Sequence, residues 1–409
     1  MAVDDAKPRP TDARRPRPPR AGSALRFVIL VGVMSLFADF TYEGARSVTG
    51  PYLAVLGASA FVVSAVTGFG ELLGYGLRLV SGRLSDRTRE FWPITIFGYV
   101  LQMSVVPLLA IAGSWQIAAL FIILERVGKA TRNPPRDAML AHAGHEVGGY
   151  GWAFGLHEAL DQAGALIGPL VVAAVLAART ADYKLAFAVL AIPASITLVI
   201  LAIARLTYPR PEDLEARQAD LHSEGMARMF WVYLVAAALV AAGFADFPLI
   251  AYRFYQSGTV TGASVPIFYA VAMAVSGAGS LAFGKLFDRR GIGILVPLTI
   301  VCALYAPLVF LGGFVPALVG ASLWGLGMGV HESIVPAAVA HMVPADRRAS
   351  AYGLFTAGYG IAWFAGSLAL GALYTLSAGA AVTFAIIAEL AAVPFLVRVR
   401  RQFRDRSAL

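Results

Sequence analysis

Long apolar stretches recur along the chain and are separated by short polar connections. A helix needs roughly 20 mostly apolar residues to cross the hydrocarbon core of a bilayer. The stretches have about that length and are too long and too uniformly apolar for barrel strands, so they predict α-helices. We expect twelve membrane-spanning helices, near residues 25–43, 58–80, 91–112, 115–130, 149–178, 183–206, 229–252, 265–287, 292–313, 316–340, 349–376 and 378–399.

Composition agrees with a membrane protein. Of the 409 residues, 58% are hydrophobic and 14% are charged, and the mean hydropathy of +0.70 exceeds that of soluble domains. The single cysteine, Cys302, lies in an apolar stretch, which excludes disulfides and cysteine-based metal sites. We therefore expect no metal and no cofactor.

Basic residues are distributed unevenly between the connections. Of the 33 lysines and arginines, 28 lie on the two tails and one alternating set of connections, and Arg126 lies inside a helix. The opposite set holds only four, Arg46, Arg179, Lys184 and Arg253. Cytoplasmic connections of membrane proteins are enriched in Lys and Arg. We therefore expect a bacterial inner-membrane protein whose termini both lie in the cytoplasm. The net charge of +8 is then explained by membrane topology and by contact with anionic lipid head groups, rather than by binding of nucleic acid.

The chain divides into two similar halves. Phe37-Ala38-Asp39-Phe40 recurs as Phe244-Ala245-Asp246-Phe247, 207 residues later, and GRLSDR at 82–87 recurs as GKLFDR at 284–289. The domains that we predict are a disordered cytoplasmic tail (1–24), a six-helix bundle (25–206), a cytoplasmic linker (207–228), a second six-helix bundle (229–400) and a cytoplasmic tail (401–409).

The first copy of the repeated connection resembles the loop motif between helices two and three of the major facilitator superfamily. Gly82 would allow close approach of helices, and Asp86 could pair with Arg87 or a neighbouring helix end to latch the cytoplasmic side. The end of the motif departs from the pattern, because Glu90 follows Arg89. The second copy contributes Gly284, Asp288 and Arg289. The resemblance implies an all-α fold of two pseudo-symmetric six-helix bundles and transport by alternating access.

The fifth predicted helix carries a row of small residues and a proline, namely Gly155, Gly164, Gly168 and Pro169. Their spacing is similar to that of the antiporter motif in drug/proton exchangers of the same superfamily, which implies an antiporter. Small residues in a row also permit tight helix packing by themselves, and proline can bend a helix. Both interpretations stay open.

Charged residues inside the spans are the candidates for function, because each costs at least about 2.5–3.5 kcal/mol to place at bilayer depth. As candidates for proton coupling or for the substrate cavity we take Asp39, Glu43, Arg46, Arg126, Glu158, Asp161, Asp246, Arg253 and Glu332.

Asp39 is the first choice for a proton-coupling or cation-binding carboxylate, since drug/proton antiporters similar in this stretch place an acid there. Alternatively, Asp39 with Arg253, and Asp246 with Arg46, form gating salt bridges between the halves. Glu158 and Asp161, three residues apart on one helix face, suit a group that binds and releases protons, or they pair with Arg126.

Three functional readings follow. The first is a secondary transporter that exports a small solute in exchange for protons, working as a monomer in the lipid bilayer. The second is a carrier of organic anions that uses Arg46 and Arg253. The third is a membrane-embedded receptor or enzyme, which no nucleotide-binding, metalloprotease or nucleophile motif supports, so we expect no enzymatic activity.

Fusion reporters test the predicted topology. Reporters at the N-terminus, the C-terminus and the 208–228 connection should all give cytoplasmic signals, because the basic residues favour that side so strongly. A reporter between Arg179 and Lys184 is the matched control and should give a periplasmic signal. A periplasmic signal from any of the first three would contradict the assignment of twelve helices.

Overall fold

The computed structural model describes residues 21–146, 150–209, 228–342 and 348–407. Side chains at 86, 288 and 332–337, among others within these ranges, fall outside the description. Most of the predicted N-terminal tail and of the linker also falls outside it. The predicted boundaries of the two bundles therefore stay a prediction, although residues 21–24 and 401–407 are helical extensions of the first and last spans.

The described residues are helical and contain no strand. We number the spans α1 to α12: α1 Ala21–Val55, α2 Ala60–Thr88, α3 Phe91–Ile111, α4 Trp115–Glu146, α5 Tyr150–Ala178, α6 Tyr183–Thr207, α7 Arg228–Ser257, α8 Ser264–Arg290, α9 Gly291–Leu311, α10 Phe314–Met342, α11 Arg348–Leu376 and α12 Ala378–Ser407. The helix α7 is interrupted between Gly243 and Phe247.

Eleven of these helices are long and apolar enough to cross a membrane, and α4 is the one of the twelve that is not. With 32 residues it is long enough, at about 48 Å for a rise of 1.5 Å per residue. Its composition sets it apart, because Glu125, Arg126, Lys129, Arg132 and Arg136 all lie along it. The fourth predicted span is therefore a helix that carries charged residues along much of its length.

The predicted end of the fourth span at residue 130 is wrong, since α4 continues through Pro134 and Pro135 to Glu146. Proline has no N–H, so Pro134 leaves the carbonyl of Ala130 without its helical partner. The Ser81 hydroxyl of α2 donates to that carbonyl at 3.0 Å. A neighbouring helix thus supplies the missing hydrogen bond and lets the helix continue inside the bundle.

Close packing between the halves seals the end of the molecule that lies away from the chain termini. A Cβ at Gly50 of α1 would overlap the carbonyl oxygen of Pro248 in α7. At the same end, a Cβ at Gly371 of α11 would lie 2.7 Å from the Cβ of Ser64 in α2. The two backbones approach this closely only because glycine has no side chain. This end is closed in the conformation described.

The glycine row of α5 lies against α1. A Cβ at Gly164 would overlap the carbonyl oxygen of Leu36, and one at Gly168 would overlap that of Phe40. Gly155 is different, since no heavy atom lies within 4 Å of its Cβ position. Pro169 follows in the same helix, and α5 continues past it to Ala178.

The two repeated connections lie at the end that carries the termini. The Cβ position of Gly82 is 3.6 Å from the Cβ of Pro134 in α4, whereas that of Gly284 has no neighbour within 4 Å. Arg87 and Arg289 are exposed. The side chains of Asp86 and Asp288 lie outside the described residues, so the latch in which Asp86 pairs with Arg87 or a neighbouring helix end stays a prediction.

Substituting Gly164 by alanine should destabilise the protein. The new methyl group would overlap the carbonyl of Leu36, and overpacking of this kind costs about 1–3 kcal/mol. Gly155→Ala is the matched control in the same helix, and it should be neutral or stabilise by up to about 1 kcal/mol through helix propensity. Thermal unfolding in detergent measures both variants. Equal melting temperatures would contradict the close packing of α5 on α1.

Candidate functional site

A cavity of about 460 Å³ lies between the two sets of six helices. Most of its wall comes from α1, α2, α4 and α5, and the last six helices contribute Ser280, Met328, His331 and Thr356. The cations in the wall are Arg46, Arg78, Arg126, Lys129, Arg132 and Arg136. The carboxylates are Asp39, Glu43, Glu71, Glu158 and Asp161. The charge is therefore concentrated in the first six helices.

Helix α4 supplies four of the six cations. Arg126, Lys129, Arg132 and Arg136 follow one another at intervals of three or four residues and so share one helix face. The 28 basic residues that the sequence assigns to the tails and cytoplasmic connections include the last three of these, and for them that assignment is wrong. They lie inside the bundle because α4 continues past Pro134, and Arg132 is fully buried.

Arg46 joins the two halves of the molecule. Its Nη2 lies 3.1 Å from Oε1 of Glu71 in α2 and 3.4 Å from Oδ1 of Asp246 in α7. Asp246 lies at the interruption of α7, directly before the segment that begins at Phe247. Its other oxygen accepts hydrogen bonds from the Trp363 indole at 3.2 Å and the Ser367 hydroxyl at 3.5 Å. This is the predicted pair of Arg46 with Asp246.

Glu43 makes a second polar contact between the halves. The Tyr269 hydroxyl of α8 donates to its Oε2 at 2.5 Å. On its other side, Glu43 Oε1 lies 4.0 Å from Nζ of Lys129. Lys129 itself sits 3.6 Å above the ring of Tyr42, which favours a cation through the negative face of the ring. Lys129 therefore has a weaker anionic partner than its neighbours on α4.

Asp39 pairs with Arg132, whose Nη2 lies 3.4 Å from Oδ1 of the carboxylate. Arg132 also donates to Oε1 of Gln102 at 2.6 Å and to the Tyr99 hydroxyl at 2.8 Å, so its guanidinium is held in place. The predicted pair of Asp39 with Arg253 is wrong. Arg253 donates to the Phe310 carbonyl at 2.9 Å and does not line the cavity. It lies in the last turns of α7, too near the sealed end to reach Asp39.

The two acids of α5 both face the cavity. Oδ2 of Asp161 lies 3.5 Å from Nδ1 of His157, while its Oδ1 has no hydrogen-bond partner among the described residues. Glu158 accepts a hydrogen bond from Gln162 at 2.9 Å. Asp161 is thus a carboxylate with one oxygen available to a proton or a solute.

Arg126 is not the partner of these acids, contrary to the alternative that we considered. Its Nη1 lies 2.9 Å from Oε1 of Glu71, and its Nε lies 3.5 Å from the neighbouring Glu125. Arg126 lies about two turns farther from the termini along α4 than Arg132. Along the axis of the bundle, Arg126 is therefore level with Arg46 rather than with Glu158 and Asp161.

Arg136 and His157 are linked through a serine of α1. The Ser35 hydroxyl accepts a hydrogen bond from Nη1 of Arg136 at 2.9 Å and lies 2.9 Å from Nε2 of His157. The Asp39 and Asp161 carboxylates line the cavity next to this group. Predicted candidate Glu332 follows His331 in α10, and its side chain lies outside the described residues.

Sequence reasoning missed Lys129, Arg132 and Arg136 as site residues. The consecutive prolines at 134 and 135 suggested a loop, and the positive-inside rule explained the charges well enough. A usable signal was present nonetheless: cations at every third or fourth position continue the face that begins at Arg126. The same reasoning passed over Glu389, a single acid in an apolar run of α12.

The sequence matches the family model of the Major Facilitator Superfamily over residues 28–367. An uncharacterised protein of Mycobacterium tuberculosis is 43% identical over 384 residues, which cover 92% of this chain and 94% of the relative. An uncharacterised MFS-type transporter of Methanocaldococcus jannaschii is 30% identical over 141 residues, 34% of this chain and 35% of its own.

Solved transporter structures share the fold at low sequence identity. The nucleoside transporter NupG superposes with a TM-score of 0.71 at 14% identity, over 93% of this chain and 99% of its own. A POT family transporter in complex with 5-aminolevulinic acid gives 0.73 at 11% identity, over 91% and 95%. A bacterial homologue of the lysosomal transporter Spinster, in an inward-facing and unoccupied conformation, gives 0.67 at 14% identity, over 94% and 96%.

The contact of Arg46 with Asp246 predicts an effect on closure of the sealed end. Asp246→Asn should weaken that closure, because the neutral amide no longer attracts the guanidinium across the two halves. A cysteine at Ser64, which is 2% exposed beside Gly371, reports opening in a Cys302→Ala background. We expect an impermeant maleimide to label it several-fold faster than in the parent.

Asp137→Asn is the control for this measurement. Asp137 also forms an ion pair with an arginine, Arg136 at 2.7 Å, but that pair lies within one helix and does not connect the halves. Its loss should leave the labelling rate unchanged. Equal rates for the Asp246 variant and the parent would show that Asp246 does not hold this end closed.

Proposed function

Because this chain belongs to the major facilitator superfamily and is thus a membrane transporter, we propose that it exchanges a small polar solute for protons. The solute carries an anionic group and binds in the 460 Å³ cavity between the halves. That volume lies within the range of small-molecule sites, roughly 300–1,000 Å³.

The cationic face of α4 carries the proposal for an anionic group. Arg126 and Arg132 have carboxylates at 2.9 and 3.4 Å, whereas the nearest carboxylate to Lys129 lies at 4.0 Å. A solute anion beside Lys129 would therefore find a cation that is incompletely neutralised within the protein. Charge-assisted hydrogen bonds of this kind are stronger than neutral ones and give specificity for an anionic group.

The charged wall argues against a mainly apolar substrate. Desolvating the cations and carboxylates of the cavity without replacing their polar contacts would be costly. The organic-anion alternative is favoured in this respect, but with a different set of cations. Arg253 lies outside the cavity, and Arg46 is engaged by Glu71 and Asp246, so Lys129 and Arg132 take the place of the Arg46/Arg253 pair.

Proton coupling would operate through Asp39 and Arg132. While Asp39 is ionised, it holds the Arg132 guanidinium at 3.4 Å. A solute that binds between them would place its anionic group against Arg132 and a hydrogen-bond donor against the ionised Asp39. A proton on Asp39 removes that negative acceptor and weakens the binding of the solute. Protons and solute would thus compete for one carboxylate, and Asp161 offers a second carboxylate in the same cavity.

Export, rather than uptake, is part of the proposal and is supported by the resemblance of the α5 glycine row to that of drug/proton antiporters. A bacterial inner-membrane location with both termini in the cytoplasm is supported by the distribution of basic residues. Four of the basic residues counted for the cytoplasmic side line the cavity instead, namely Arg78, Lys129, Arg132 and Arg136. Without them, the remaining basic residues still lie mostly on the cytoplasmic side. The proposal requires a single copy of the chain, because one copy contains the complete cavity.

The substrate class can be tested with purified protein in liposomes. A panel of small carboxylates, phosphate esters, amino acids and uncharged nucleosides is screened by thermal stabilisation and then by flux with and without a pH gradient. We expect anion-bearing members to stabilise the protein. Lys129→Gln should weaken their binding about 10-fold or more, because it removes a charge-assisted contact of about 1.5–3 kcal/mol.

Lys285→Gln is the matched control, because Lys285 is an exposed lysine at the end of α8, away from the cavity. In the same liposomes, Asp39→Asn should retain exchange of solute while losing accumulation driven by the pH gradient. Stabilisation by uncharged members alone would exclude the anionic substrate class. Gradient-driven accumulation by Asp39→Asn would exclude Asp39 as the coupling group.

A further inference from the structure

The carboxyl group of Glu389 has no hydrogen-bond partner among the described residues of the last six helices. Glu389 lies in α12 and is 1% exposed, and neither of its oxygens has a hydrogen-bond partner among the described residues. An ionised carboxylate in this setting would bear a large desolvation penalty that nothing nearby offsets. A partnerless acid at bilayer depth is a candidate for function by default.

A small cavity of about 30 Å³ adjoins this carboxyl group. The volume is enough for a water molecule, which needs about 10–15 Å³. Most of its wall is apolar, and the polar side chains in it, among them Glu389, His331 and Thr299, are the partners that such a water would need. The groups around Glu389 that can titrate come from all four neighbouring helices: Tyr233 of α7, Cys302 and Tyr305 of α9, His331 of α10 and Tyr359 of α11. None of them carries a fixed charge.

His331 connects this small cavity with the central one, because its side chain lines both. Its Nδ1 lies 2.7 Å from the Tyr359 hydroxyl, so proton exchange with water would use Nε2. The hydroxyl of Tyr305 is engaged elsewhere: it accepts from the Ala245 amide at 2.7 Å and donates to the Gly243 carbonyl at 2.9 Å. His331 is therefore the polar group placed between the two cavities.

We propose that Glu389 is a proton-binding site, which exchanges its proton with the central cavity through His331 and water in the small cavity. Neutral His331, with its own proton on Nδ1 toward Tyr359, takes up a proton from cavity water at Nε2. A turn of the ring brings this Nε2–H to the enclosed water, which accepts the proton and passes one of its own to a carboxylate oxygen, so only N–H and O–H bonds change. In the conformation described, the carboxyl group holds the proton and is neutral. This deepens the proposed proton coupling and adds a proton site in the last six helices, whereas Asp39 lies in the first six.

The location of Glu389 gives its proton a structural consequence. A Cβ at Gly243 would lie 2.9 Å from Cγ of Glu389, so the carboxyl stem packs against the end of the first segment of α7. Asp246, which pairs with Arg46, lies on the other side of the same interruption. Loss of the proton leaves a charge that this packed environment cannot solvate, so it favours a conformation in which water reaches the interruption of α7.

Infrared difference spectroscopy of the purified protein in lipid tests the proton directly and requires neither a substrate nor transport. We expect a protonated-carboxyl band at pH 7 that is absent in Glu389→Gln and retained in Asp137→Asn, which removes an exposed carboxyl. In deuterated water the band should shift several-fold more slowly in His331→Gln. Should that variant fail to fold, Tyr359→Phe removes the hydroxyl that orients His331 and should also slow the shift. A band unchanged by Glu389→Gln, or a shift rate unchanged by the folded His331 or Tyr359 variant, would overturn the proposal.

Thermal unfolding provides an independent readout. An unfolded glutamate ionises above about pH 4.3, so a chain that keeps Glu389 protonated takes up a proton on folding and loses stability as pH rises. Glu389→Gln cannot release that proton. Its Tm should therefore rise relative to the parent from pH 5 to pH 8, and a constant difference would contradict a bound proton. Failure of the Asp39 transport test would leave both of these measurements unaffected, so the two proposals can fail separately.

Discussion

Charges buried in the interior of a membrane protein must be neutralised by partners, and here one ion pair and one hydrogen bond of buried charged residues also connect the two sets of six helices. Arg46 binds Glu71 within its own half and Asp246 in the other, and Glu43 receives the Tyr269 hydroxyl. Breaking such a contact leaves an orphaned charge, which is more costly than never having had the pair. The central cavity and the sealed end therefore respond together to any change in these charges.

Continuation of α4 through two prolines decides the chemistry of the cavity. The hydrogen bond from Ser81 to the Ala130 carbonyl satisfies the group that Pro134 leaves without a partner. The helix can then carry Lys129, Arg132 and Arg136 into the bundle instead of releasing them to the cytoplasmic surface. One serine of α2 thus helps to determine which charges line the cavity.

The two halves use a shared architecture for different purposes. The Phe-Ala-Asp-Phe repeat places Asp39 in a continuous helix, where it faces Arg132, but places Asp246 at an interruption, where it faces Arg46. The first half lines the cavity with ionic pairs, whereas the second packs Phe244, Trp324 and Trp363 around the interruption of α7. Glu389 stands out in that aromatic and aliphatic setting because its carboxyl has no hydrogen-bond partner among the residues that the structure describes.

The sequence by itself determined the all-α membrane fold and the positions of the spans, because the transfer of apolar residues into lipid is a local property that hydropathy along the chain records. It also indicated which charges were worth attention, including Asp39, Arg46 and Asp246. Only the tertiary structure decided the partners: Asp39 pairs with Arg132 rather than Arg253, and α4 extends past residue 130. Those outcomes depend on the height and rotation of helices relative to one another, and on a hydrogen bond from a neighbouring helix, none of which is encoded in the local pattern of the chain.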